Sequence, residues 1–216
     1  HYPLRRQRQM CIRDRLYTVV DVIDHSTMKE FVLDLIDNMP SKDVGEYTVN
    51  LDDEYTDLNY DYTSHISKTN WQDDIFGEEW AQIWPHFLSP ADQIQVVNSI
   101  KNNYPDRDWS SGEVTESWFN QYIAESGAEH PWHHHADSER VAGQKNPSIH
   151  LASIYYVELP DRSLTTILKD PETGEEIIPD VKEGQILTFA SDILHKSPRN
   201  LSNTRKTVIP FNIMFD

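Results

Sequence analysis

Residues 183–195 read EGQILTFASDILH. Gly184 opens a six-residue apolar run, QILTFA, that reads as a β-strand, and His195 stands five residues beyond its end. Working outward, the C-terminal RKTVIPFNIMF reads as a final strand, with Pro210 at an edge or bulge because proline cannot donate to a ladder. Toward the N-terminus come the turn PETGEE, the alternating SLTTILKD, the long apolar and aromatic IHLASIYYVEL, and the alternating SWFNQYIA. Five or six short strands in about a hundred residues, with few helices, predict a β-sandwich or barrel.

The first half is of a different kind. LYTVVDVI, from Leu16, reads as a strand. STMKEFVLDLIDNM follows as a helix with Ser26 as N-cap and Phe31, Leu33, Leu35 and Ile36 as its apolar positions, ended by Pro40 and Gly45. Residues 47–71 are rich in Asp, Tyr, Thr and Asn and read as long loops with short strands. EEWAQIWPHFLSPADQIQVVNSIKNNYP reads as two helical stretches interrupted by Pro85 and Pro90, and DRDWSSGE (106–113) as a linker. Residues 16–115 are thus expected to be a support region of the same domain as a β-rich core over 116–216. Residues 1–15, HYPLRRQRQMCIRDR, carry five Arg against one Asp without periodicity, and resemble translated adaptor read-through. Without them the formal charge of -17 becomes -21.

That acidity disfavours nucleic acid and anionic membranes as partners. No apolar run approaches the roughly 18 residues of a membrane span. A single cysteine, Cys11, excludes an internal disulfide framework. The expectation is a cytoplasmic protein.

Residues 130–137, HPWHHHAD, hold four of the ten histidines. His135-x-Asp137 on an extended segment would turn an imidazole and a carboxylate to the same side. Two His and one carboxylate on one face of an ion is the arrangement of non-heme Fe(II) oxygenases, with the other face open. His195 is the candidate distant histidine. Arg205, ten residues after it, could grip the far carboxylate of 2-oxoglutarate through its planar fork. Thr207, two positions on, would share its strand face.

The order H-x-D, IYYV, EGQILTFASDILH, then Arg resembles the 2-oxoglutarate/Fe(II)-dependent dioxygenases, especially the prolyl-hydroxylase-like branch and small phage and marine-bacterial members. The resemblance covers roughly residues 116–216. It implies a mainly β fold with flanking helices around a double-stranded β-helix (jelly-roll, cupin-like) core. It also implies Fe(II) on His135, Asp137 and His195, with 2-oxoglutarate and O2 as co-substrates. Tyr156 matches a tyrosine that helps bind the co-substrate, and Asn120 and Tyr122 match a recurrent N-x-Y beside it. The implied reaction is hydroxylation of a small-molecule or protein side-chain substrate, with 2-oxoglutarate decarboxylated to succinate and CO2.

Other readings stay open. His133-x-His135, Glu139 and His195, with Gly127, Gly184 and Asn200 nearby, roughly fit a metal-binding cupin that uses no oxoacid. His133 is an alternative ligand even in an oxygenase. His133-x-His135-x-Asp137 also begins a zinc-hydrolase motif, although Ser138 stands where its next histidine belongs. A β-rich binding protein without metal is the non-enzymatic alternative. His130 and His134 are expected at the solvated surface, His25, His65, His86 and His150 as structural residues, and Tyr155 in the core.

Overall fold

The computed structural model describes residues 16–38, 47–49, 62–64, 66–70, 90–103, 112–135 and 149–215. Strand β1 (Tyr17–Asp21), β-branched as expected, leads into helix α1 (His25–Asn38). Short strands β2 (Tyr47–Val49), β3 (Tyr62–Ser64) and β4 (Lys68–Thr69) precede helix α2 (Pro90–Asn103). The β-rich half then runs β5 (Gly112–Ser117), β6 (Asn120–Tyr122), β7 (His130–His133) and β8 (Ile149–Glu158). A 3-10 turn (Arg162–Leu164), β9 (Ile167–Lys169), β10 (Glu176–Ile177), β11 (Gln185–Ala190), β12 (His195–Ser197) and β13 (Lys206–Phe215) complete it.

A seven-stranded antiparallel sheet has the order β1-β11-β8-β13-β6-β4, with β5 also on β13. A second sheet, β10-β9-β12-β7, lies apart from it, and β2 pairs with β3 alone. Because strand side chains alternate between faces, the large sheet feeds two cores. Leu151, Tyr155, Val157, Ile209, Phe211 and Ile213 face the helices, where Val32, Ile36 and Val96 meet them. Ala152, Ile154, Tyr156, Leu187, Phe189 and Val208 face the other way and pack with Leu168 and Ile177 of the small sheet. The first strand, from the support region, is hydrogen-bonded into the large sheet through Tyr17↔Phe189, so both halves of the chain build one sheet.

Several local expectations need adjustment. In α1 the buried stripe is Val32 and Ile36, one turn apart, while Phe31 is 48% exposed. The helix starts at His25, which puts Ser26 inside it rather than at the cap. Pro90 opens α2 in the first turn, where a missing N–H costs nothing. Pro210 sits mid-strand, yet its C=O, and with it the nitrogen, faces the gap where β13 changes partner from β6 to β5. Gly184 turns the chain into β11 at φ +84, where an added Cβ would lie 2.9 Å from the His25 ring. The expected helical stretch before Pro90, most of the 106–113 linker, and residues 1–15 lie outside the described residues.

Candidate metal centre and its pocket

One pocket opens between the two sheets, lined by His130, His133, His135, His195, Ser197 and Lys206 together with Asn120, Tyr122 and an apolar wall. His133 closes β7 and His195 opens β12, and the two are directly paired across the small sheet. His135 follows two residues later, its backbone N–H held by the Ser191 carbonyl at 2.8 Å. One ligand atom from each of His133, His135 and His195 lies within 4.8 Å of the others.

The hydrogen bonds of these rings prepare them for a metal. Each Nδ1 faces an acceptor: Pro131 O for His133 at 2.9 Å, Ile193 O for His195 at 2.9 Å, and Asn212 Oδ1 for His135 at 2.8 Å. Asn212 is fixed in that sense because its amide N–H₂ donates to Glu116. An Nδ1–H donating to oxygen leaves the lone pair on Nε2, which is how proteins orient imidazole ligands. Burial lowers the pKa of all three. His135 is pushed down to about 4, and His133 and His195 fall well below the usual histidine range, so the rings are neutral and able to ligate. Three convergent neutral imidazoles suit a divalent transition metal. Asp137 and Glu139, the carboxylates considered as ligands above, lie outside the described residues.

The cation of the pocket is Lys206, not Arg205. Lys206 is fully buried, and its Nζ donates to Leu164 O at 2.6 Å and Ser197 Oγ at 2.7 Å. It lies 4.9 Å from the Tyr122 ring centre and 5.9 Å from that of Tyr156. Among the described residues no carboxylate pairs with it, and burial pushes its pKa down to about 7. Arg205, the expected anchor, turns to the opposite face of the sheet. Its fork grips Glu158, with Nε to Oε2 at 2.8 Å, and its Nη1 reaches Asp37 of α1 at 2.8 Å. Thr207 goes with it, donating to the same Glu158 carboxylate and accepting from Gln121. The physical reason is strand parity: β13 begins at Lys206, so 206 and 208 face the pocket while 205 and 207 face away.

Asn120 and Tyr122, the N-x-Y pair of the sequence, line the pocket. Tyr156 is buried beside it, its hydroxyl accepting from Thr166 N at 3.1 Å, and burial pushes its pKa up to about 12. Tyr155 points into the other core, with its hydroxyl 2.7 Å from His25 Nδ1, as a packing residue would. Asn200, a candidate of the cupin reading, serves the loop instead, donating to Tyr122 O and Thr204 O at 2.9 Å each. His130, expected at the surface, is buried in the pocket. Lys206, Ser197 and Thr166, which also line the pocket, carry no motif in the sequence. For Lys206 the available signal was alternation with the apolar Val208.

No protein-family model and no curated protein matches the chain. Solved structures do. The viral collagen prolyl hydroxylase vCPH from Paramecium Bursaria Chlorella virus-1, solved as its 2OG complex, aligns with a TM-score of 0.53 at 13% identity, over 93% of this chain and 97% of that one. An oxidoreductase of the 2OG-Fe(II) oxygenase family from Burkholderia pseudomallei gives 0.56 at 9% identity, over 94% and 88%. The non-heme alpha ketoglutarate dependent epimerase SnoN, from nogalamycin biosynthesis, gives 0.58 at 11% identity, over 98% and 83%. The chain therefore has the double-stranded β-helix fold that these 2OG-Fe(II) oxygenases share.

Proposed function

We propose that the protein is an Fe(II)- and 2-oxoglutarate-dependent oxygenase. The observation that carries this reading is a single pocket holding three convergent imidazoles and, beside them, a buried ammonium without a carboxylate partner among the described residues. His133, His135 and His195 would hold the iron, with Asp137 the further candidate two residues past His135. Ser197, which binds the Lys206 ammonium, lies one strand repeat from His195, roughly 6–7 Å along β12. That is the scale of a five-carbon dicarboxylate, whose keto-acid end would meet the metal and whose far carboxylate would meet Lys206. A simple cupin has no use for such a cation, so Lys206 takes the anchoring place that the sequence suggested for Arg205.

Bound iron would supply the oxygen chemistry; the chain's own residues bind, orient and exclude water. Lys206 and Ser197 fix the far carboxylate. Tyr122, kept as a phenol by burial, presents an O–H to the same region. Trp118, Ile154, Val208 and Pro210 form the apolar wall. Hydroxylation consumes one O2, placing one oxygen atom in succinate and the other in a C–H bond of the substrate, with release of CO2. The substrate is an unidentified small molecule or protein side chain, basic or neutral rather than nucleic acid, given the charge of -17.

The test is anaerobic titration of Fe(II) and 2-oxoglutarate, following the weak visible charge-transfer band of the chelate. A band in the wild type that requires far more 2-oxoglutarate in Lys206→Met, but not in Arg205→Ala, supports the reading. Metal binding without a band would overturn it in favour of a cupin. Loss of iron in His133→Ala but not in Asp137→Ala would establish the three-histidine set.

A further inference from the structure

The small sheet contains an irregularity that serves the pocket. His133 pairs with His195 and His130 with Ser197, so three steps on β7 match two on β12, and β7 carries one extra residue. In a regular strand residues three apart point to opposite faces. The bulge cancels that, and His130 and His133 both enter the pocket. Pro131 occupies the bulge, where its missing N–H leaves no ladder bond unmade, and its carbonyl accepts from His133 Nδ1. Trp132 is turned the other way, packing under Lys196 at 4.4 Å and Lys169 at 5.8 Å.

His130 is therefore a fourth pocket histidine, outside the metal-binding set found among the described residues. Its ring stands edge-on to His133, with centres 4.1 Å apart. Across the strand pair it faces Ser197, which binds the Lys206 ammonium. It thus lies on the wall between the three imidazoles and the cation. An imidazole carries at least one ring N–H, so His130 brings a hydrogen-bond donor to that wall.

Resting on the oxygenase reading above, we propose that His130 is a specificity-determining residue for the co-substrate, donating a hydrogen bond to the keto acid lying between the iron and Lys206. It does not ligate the metal. One neutral hydrogen bond lost from a buried site weakens binding by about tenfold.

The experiment compares wild type, His130→Phe and His130→Gln by anaerobic 2-oxoglutarate titration of the Fe(II) protein, with Fe(II) affinity measured separately by chelator competition. Phe keeps a planar ring without a donor; Gln restores an N–H. The expected result is a 2-oxoglutarate Kd raised about tenfold in His130→Phe, within threefold of wild type in His130→Gln, with Fe(II) affinity unchanged in both. An unchanged Kd in His130→Phe overturns the proposal, as does a Gln variant as weak as Phe. Fe(II) affinity lost to the extent seen in His133→Ala would make His130 a ligand and overturn it as well. A wild type that binds Fe(II) but shows no 2-oxoglutarate band removes the oxygenase reading itself. A wild-type band with unaffected variants removes only the role of His130.

Discussion

The two faces of the large sheet treat charge in opposite ways. On the helix side, cations are matched: Arg205 lies between Glu158 and Asp37, and Lys29 is 2.6 Å from Glu183. On the pocket side the lining contains four histidines and Lys206 but no carboxylate among the described residues. Adjacent residues, Arg205 just before β13 and Lys206 at its start, thus belong to different kinds of environment. A paired, partly exposed ion contributes modestly to stability. A buried cation without a counter-ion is costly to keep, and it makes sense where an anion is to bind.

The largest effect that would break this comparison is at the metal. His195→Ala removes a buried ligand, and Fe(II) affinity measured by chelator competition should fall at least about 100-fold, beyond the range seen when only a ligand's supporting hydrogen bond is lost. Next comes Lys206→Met, which should raise the Kd for 2-oxoglutarate roughly 10- to 100-fold, the worth of a charge-assisted hydrogen bond. The same substitution should stabilise the protein without co-substrate by about 1–3 kcal/mol in urea unfolding, since it removes a buried charge that has no carboxylate partner among the described residues. A loss of stability instead would mean that the ammonium is structural.

Smaller effects sharpen the contrast. Asn212→Ala leaves His135 Nδ1 without its acceptor and should weaken Fe(II) binding about tenfold. Because Lys206 titrates at about 7 in the folded protein, it is charged below that pH and neutral above it. Affinity for 2-oxoglutarate should therefore be full on the acid side and decline about tenfold per pH unit on the alkaline side, measurable between roughly pH 7 and 9. Without co-substrate the same depression works the other way on stability. Between about 7 and the ordinary 10.5 the unfolded chain holds a proton that folded Lys206 lacks, so the Lys206 contribution rises with pH. The smallest effect is Arg205→Ala, with a 2-oxoglutarate Kd within about twofold of wild type and a stability loss of about 1 kcal/mol, since the pair is partly exposed.

The sequence alone marked the main strands and the residue types gathered at the candidate site. Apolar β-branched runs marked β1, β8, β11 and β13, because a strand buried on one or both faces must be apolar there. The histidine cluster, and His195 behind its strand, marked the candidate metal centre, because their order and spacing offered ligand atoms from two separate strands. Facing was not legible. β13 is buried on both sides, so its pattern does not distinguish the pocket set 206 and 208 from the outward set 205 and 207. The loop from 198 to 205, folded on Asn200, decides which residue arrives at the pocket. The β7 bulge, likewise, carries His130 inward, against what strict alternation would allow. Residue type and spacing thus follow from local chemistry, while the side on which each charge ends depends on bulges and loop closures that exist only once the sheets have paired.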